Sequence, residues 1–204
     1  MLSGTSLRAG KSRPVSTPLR PVAQTLPQYR APGGGQLKDG GEQWSLSLMF
    51  LVQQTMAERH EYVSRFMDGD DASIAVLLAA ADFERCIRRA ILGLGMSPTK
   101  EIRENFFRQH FHGPRRFKEV WRIEVKPRIG RNLADEVVPR WDSVERAYSF
   151  RHRLIHGIPG KLSPELASGV ARTFLKAAVA VGRVAGEHGV DLDRTIRRYK
   201  RIIG

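Results

Sequence analysis

Arg151-His152-Arg153-Leu154-Ile155-His156-Gly157 gathers two guanidiniums and two imidazoles directly before a glycine. Cleaving RNA without a metal needs three groups: one to take the proton of a ribose 2′-OH, one to protonate the leaving 5′ oxygen, and a fixed cation for the crowded phosphate. Imidazole, with a reference pKa of about 6.5, suits either proton role near neutrality. A guanidinium stays charged and offers a planar fork to phosphate oxygens. Arg151 is the candidate phosphate holder and His156 the candidate proton carrier, with His152 as a third catalytic candidate. Arg146, Arg153 and Lys161 are the flanking cations assigned to RNA phosphates.

A helix turns about 100° per residue, which sets His152 and His156 within about 40° of each other but Arg151 and His156 about 140° apart. One helix alone makes a poor Arg and His site. Two copies facing each other across a twofold axis bring an Arg from one and a His from the other into one groove. The expectation is therefore a symmetric homodimer with residues 143–156 at or beside its interface. Glu84 sits where an apolar helical stripe turns charged. It can reach Arg151 in a bundle and orient it, or pair with Arg88 four residues on, and the local pair is the simpler expectation.

Other chemistries find less support. The chain has no Gly-x-x-x-x-Gly-Lys-Ser/Thr phosphate loop, no Gly-x-Ser-x-Gly elbow and no His-Glu-x-x-His zinc motif. His152 and His156 have the four-residue spacing of metal ligands, but further ligands must come from the distant His110 and His112, so neither metal nor cofactor is expected. The single cysteine, Cys86, precludes an intrachain disulfide and a cysteine-based zinc site, which fits a cytoplasmic protein.

Arg151-His152-Arg153-Leu154-Ile155-His156 resembles the motif of the HEPN superfamily: an Arg, a polar residue, a few variable positions and a His. The resemblance implies a helical bundle carrying the motif on a late helix after a long antiparallel pair. It makes Arg151 and His156 the catalytic pair and puts His152 at the polar position. Many members are metal-independent ribonucleases acting as homodimers in toxin–antitoxin, abortive-infection or CRISPR-associated defence. An antitoxin or defence-system partner is implied with them. Some HEPN toxins carry a Tyr two residues after the motif His that a partner enzyme modifies; here that position is Ile158, so the resemblance does not extend to that route.

The elements expected to position these residues are all helical. Residues 1–43 have no apolar period and contain Pro14, Pro18, Pro21 and Pro27 before a run of glycines, so a flexible basic tail is expected there, followed by one helical domain over 44–204. Those prolines would interrupt the amphipathic helix of a transit peptide. From Trp44 to Phe66 the spacing predicts a first long helix, and from Asp70 or Asp71 a second, with Val76, Ala80, Phe83, Ile87, Ile91 and Leu94 on its stripe and Gly95 as a left-handed stop. Ser97-Pro98 predicts a third helix start, and Pro114 to Pro127 brackets a further helical segment. In that segment Arg115, Arg116, Lys118 and Trp121 are open to RNA stacking or core packing. Asp142 and Glu145 have capping-box spacing before the motif helix, which Gly157 ends. Ser163-Pro164 starts another long helix. A last basic helix is expected from Asp191, with Leu192, Ile196, Tyr199 and Ile203 inward.

The chain carries 34 Lys and Arg against 21 Asp and Glu, a net charge of +13. Only six of those cations and two of the acids precede Gln43, so the helical part is itself basic. Such a surplus points to an anionic partner. No apolar run approaches the roughly 18 residues needed to span a bilayer, so no membrane partner is expected. The alternative reading is a noncatalytic helical module for nucleic-acid binding or dimerisation.

Overall fold

The computed structural model describes residues 54–68, 71–108, 113–157 and 163–203. Among them every regular element is helical, and the one non-helical pairing is an isolated bridge between Ala134 and Val138. The fold is all-α. The expected tail, and the part of the first helix expected over 44–53, lie outside the described residues.

Helix α1 spans Met56–Ser64. The helix expected from Trp44 is interrupted by its own cap: Thr55 is extended, its hydroxyl accepts from the Glu58 N–H at 3.3 Å, and the Glu58 carboxylate accepts from the Thr55 N–H at 2.7 Å. This reciprocal box fixes the start at Met56. Thr55-Met56-Ala57-Glu58 is the signature that the apolar spacing concealed.

Helix α2, Ala72–Leu94, buries the whole expected stripe. Its end differs from expectation, because Gly95 is extended at φ −61° and ψ 159° rather than left-handed. Glycine is needed there for space: a Cβ would lie 2.6 Å from the Ile91 carbonyl oxygen and 2.8 Å from Ile102 Cδ1. The orphan carbonyls at this helix end are met by arginines. Arg198 Nε donates to Leu92 O at 3.0 Å, and Arg128 Nη1 to Gly93 O and Leu94 O at 3.1 and 3.2 Å. Positive charge at a helix C-terminus also complements the macrodipole.

A short α3, Thr99–Ile102, runs into a π-helical turn at Arg103–Phe107. Ser97 does not cap it; its N–H and hydroxyl both go to the buried Glu124 carboxylate at 2.9 Å. The bracketed segment is helical but irregular, with α4 at Pro114–Val120, a π-helical turn at Trp121–Val125 and α5 at Lys126–Ile129. Pro127 has no N–H for the ladder, and beside it the Lys126 N–H bonds back five residues to Trp121 O. Trp121 is fully buried, which settles its role as core.

The motif helix is α6, Trp141–Ile155, and α7 follows at Pro164–Glu187. The expected capping box at Asp142 does not form. Arg140, left-handed at φ 60°, precedes the helix, Asp142 pairs with Arg146 at 3.0 Å, and Glu145 instead accepts from Trp141 Nε1 at 3.0 Å and Lys118 Nζ at 2.8 Å. Ser163 does cap α7, accepting from the Leu166 N–H at 3.3 Å with Pro164 in the first turn.

α2 and α7 run side by side in the same direction. Ser168 Oγ donates to Met67 O near the start of both helices, and at their far ends a side chain on Gly93 would collide with Val190. At the centre, Phe83 meets the rings of Phe117, Trp141, Tyr148 and Phe174 at centroid distances between 6.0 and 6.4 Å. Such edge and tilted contacts add roughly 0.5–1.5 kcal/mol each beyond area burial. On α1, the buried Arg59 pairs with Asp82 of α2 at 2.5 Å and with Asp193 at 3.1 Å. Removing one partner of a buried pair typically costs about 3–5 kcal/mol, so this contact fixes α1 against α2 and the chain after α7.

The last basic helix does not exist in the described residues. After Leu192 the chain runs over 194–203 as a strap without regular secondary structure. The Thr99 N–H donates to Arg198 O at 3.0 Å and the Ile202 N–H to Met96 O at 2.8 Å. Leu192 is buried as expected and Ile196 half-buried, but Tyr199 is 82% and Ile203 91% exposed. The chain is not helical there, and Tyr199 and Ile203 face outward. No described helix is long and apolar enough to cross a membrane.

Candidate active site

Val144 and Tyr148 bury one face of α6 against the core, and the same line of residues carries Arg151 to the rim of that interface. Gly157, left-handed at φ 59°, ends the helix as its position predicted. His156 is the C-cap residue, with its N–H still bonded to His152 O at 3.1 Å, and its side chain is exposed.

Arg151 is half-buried and held in place. Its Nη2 lies 3.6 Å from Glu84 Oε1 on α2, and its guanidinium sits over the Tyr148 ring at 5.9 Å. The Tyr148 hydroxyl donates to the same Glu84 oxygen at 3.1 Å. Glu84 thus makes the contact across the helices to Arg151. Burial, then the adjacent Glu84 carboxylate, pushes the Tyr148 hydroxyl well above its ordinary pKa, so it remains a neutral donor at physiological pH. An arginine has five N–H donors, and this arrangement leaves others for a ligand.

Beside Arg151 opens a groove of about 650 Å³ between the start of α4 and the outer part of α6. Glu145, Tyr148, Ser149, Arg151, His152 and Arg153 of α6 line it together with Arg115 at the start of α4. The Lys118 ammonium holds the Glu145 carboxyl below the usual range, so the groove keeps one anion among its cations. His156 is not part of this wall, but its ring stands 4.2 Å, centroid to centroid, from that of His152, tilted by 50°. The two imidazoles therefore form one exposed unit at the end of α6, with Arg151 one residue away.

The structure thus joins Arg151 with Glu84, and His152 with His156, and places Arg153 at the groove, where its guanidinium also lies over the Phe150 ring at 5.6 Å. Arg146 is elsewhere: it is exposed on α6 and engaged with Asp142 and Ser143. Lys161, His110 and His112 lie outside the described residues. Arg115, open in the sequence to RNA stacking or core packing, lies at the groove, and Tyr148 is a groove residue the sequence left without a site role. Tyr148 stands three residues before Arg151, the spacing of helix-face neighbours, and that signal was available. Comparison with family models, curated proteins and solved structures found no match.

Proposed function

We propose that this protein is a metal-independent endoribonuclease of the HEPN type, acting as a homodimer. The observation that carries the reading is a guanidinium fixed by Glu84 beside an open groove, with a pair of imidazoles at the same helix end. Arg151 holds the scissile phosphate and stabilises the charge that builds on its oxygens. One imidazole removes the 2′-OH proton and another donates to the 5′ oxygen, giving 2′,3′-cyclic phosphate and 5′-OH ends. His156, exposed and outside the groove wall of its own chain, reaches the phosphate held by Arg151 of a second copy. This division of the site between copies follows from the separation of Arg151 and His156 around the helix. A cellular role as a toxin or antiviral effector, held by an antitoxin or defence-system partner in the cytoplasm, belongs to the same proposal.

The test is incubation of purified protein with cellular RNA in EDTA, followed by mapping of the ends. Cleavage with cyclic phosphate ends is expected, and cleavage that disappears in EDTA and returns with added metal defeats the reading. The second reading, a noncatalytic nucleic-acid-binding module, is favoured by the position of His156 outside the groove wall. It predicts RNA binding with no cutting by either wild-type or His156→Ala protein.

A further inference from the structure

The C-terminal strap has two edges. On its inner edge Arg198 donates to Leu92 O at 3.0 Å and Ser97 O at 2.8 Å, while the strap backbone bonds to Thr99 and Met96. Ile196, Arg198 and Ile202 are half-buried on this side. These contacts fix the backbone across the end of α2 and the start of α3. Arg197, Tyr199, Lys200 and Ile203 are exposed along the strap, whereas Arg201 turns back to Ser97 Oγ at 2.9 Å and Glu101 at 2.7 Å.

Tyr199 is 82% exposed although its neighbour Arg198 is firmly held, so its ring adds nothing to the core. Arg201 is neutralised by Glu101 at 2.7 Å, but Arg197 and Lys200 have no acidic partner among the described residues. Nor do Lys100 and Arg103, which Thr99 brings alongside by its bond to Arg198 O. An exposed aromatic ring on a fixed backbone, flanked by unneutralised cations, has the makings of a stacking platform for single strands.

We propose that the exposed side chains of this strap bind single-stranded RNA. Tyr199 stacks on a base, and Arg197 and Lys200, with Lys100 and Arg103 beside them, take the adjacent phosphates. Charge complementarity selects a polyanion, and the single projecting ring favours unpaired bases, which expose a face for stacking, over a duplex. The strap lies on α3 and the end of α2, whereas the groove lies between α4 and α6, so this is a second RNA contact. It rests on the ribonuclease reading only for the choice of RNA as the strand.

The experiment is fluorescence anisotropy with a labelled oligouridylate, using the full chain carrying His156→Ala so that no cutting intervenes. Tyr199→Ala should weaken binding about tenfold, since stacking on one base is worth roughly that or more, and Tyr199→Phe should bind like the parent. Arg197→Gln with Lys200→Gln should reduce the slope of log affinity against log salt by about 1.4, at about 0.7 per phosphate contact on a single strand. These side chains are exposed, and unchanged helical circular dichroism confirms the fold of each variant. Equal affinity for Tyr199→Ala and parent overturns the proposal, as does an equal loss in Tyr199→Phe, which would mean a hydroxyl contact. So does a parent that fails to bind oligouridylate, including one captured only by phosphatidylserine vesicles. Wild-type protein that binds through Tyr199 but does not cut RNA leaves the strap proposal standing and removes the ribonuclease reading.

Discussion

Glu84 Oε1 stands 3.6 Å from Arg151 Nη2 across the seam between α2 and α6, and the same oxygen accepts the Tyr148 hydroxyl at 3.1 Å. The pair is partly shielded from water, with Glu84 13% and Arg151 29% exposed at the side chain. In the proposed site it aims a guanidinium that lines the groove. Glu84→Gln keeps an acceptor for Tyr148 but removes the charge that holds Arg151. RNA cleavage by that variant is expected to fall about tenfold, equivalent to roughly 1.4 kcal/mol in the barrier. Tyr148→Phe should lose less, because the ion pair survives. Full activity in Glu84→Gln, measured by single-turnover cleavage, would show that Arg151 needs no positioning.

Cys86 offers a test of the core rather than the site. Burial, reinforced by the neighbouring Asp82 carboxylate, pushes its thiol up to about 12, and the side chain is fully buried in α2. The thiolate is the reactive form, so native protein at pH 8 is expected to resist iodoacetamide and to react only on unfolding. Mass spectrometry of the labelled protein with and without denaturant reads this directly. Rapid native labelling would contradict the burial of α2.

The Glu145 contacts give a pH dependence whose sign is fixed. Lys118 lowers the Glu145 pKa from its ordinary 4.5. A carboxylate with a depressed folded pKa contributes stability that is present above the unfolded value and lost as pH falls through the folded one. Wild type should therefore be more stable than Glu145→Gln at pH 7, and the gap should close as the pH falls below 4.5. Both partners are partly exposed, so the gap is small and high salt should narrow it. Thermal melts across that range check the trend, and a gap that widens on acidification would refute the assigned interaction.

What was legible in the sequence divides by the kind of signal. The buried stripe of α2, the Ser163 start of α7 and the Gly157 stop were readable, because periodicity and short-range capping act locally. The strap was not. Leu192, Ile196, Tyr199 and Ile203 have helical spacing, yet the backbone there bonds to Thr99 and Met96, some hundred residues earlier. Tertiary partners outweighed local pattern. The same holds for Asp142 and Glu145, whose spacing fits a cap but whose side chains have better partners in Arg146 and Lys118. In the site, Arg151, His152 and His156 were visible as a motif. The choice of Glu84 as the partner of Arg151 depended on how α6 crosses α2, which spacing alone does not encode.

The last prediction bears on catalysis itself. His156→Ala and Arg151→Ala should each abolish RNA cleavage while leaving the fold intact, since His156 is exposed and Arg151 lies at the rim of the core. Loss of one general acid or base is typically worth about 10² to 10⁴ in rate, which a gel assay resolves. His152→Ala separates two roles for that residue: a small loss means that it supports His156 through the 4.2 Å ring contact, and a loss equal to that of His156→Ala means that it moves a proton itself. Mixing the two inactive variants tests the division of the site between copies. If Arg151 of one chain serves with His156 of the other, a heterodimer of Arg151→Ala and His156→Ala retains one intact pair and recovers partial activity. Sedimentation should show a dimer in each case. A His156→Ala protein that cuts as well as wild type would end the ribonuclease assignment of this residue, and a strictly monomeric, fully active wild type would end the shared site.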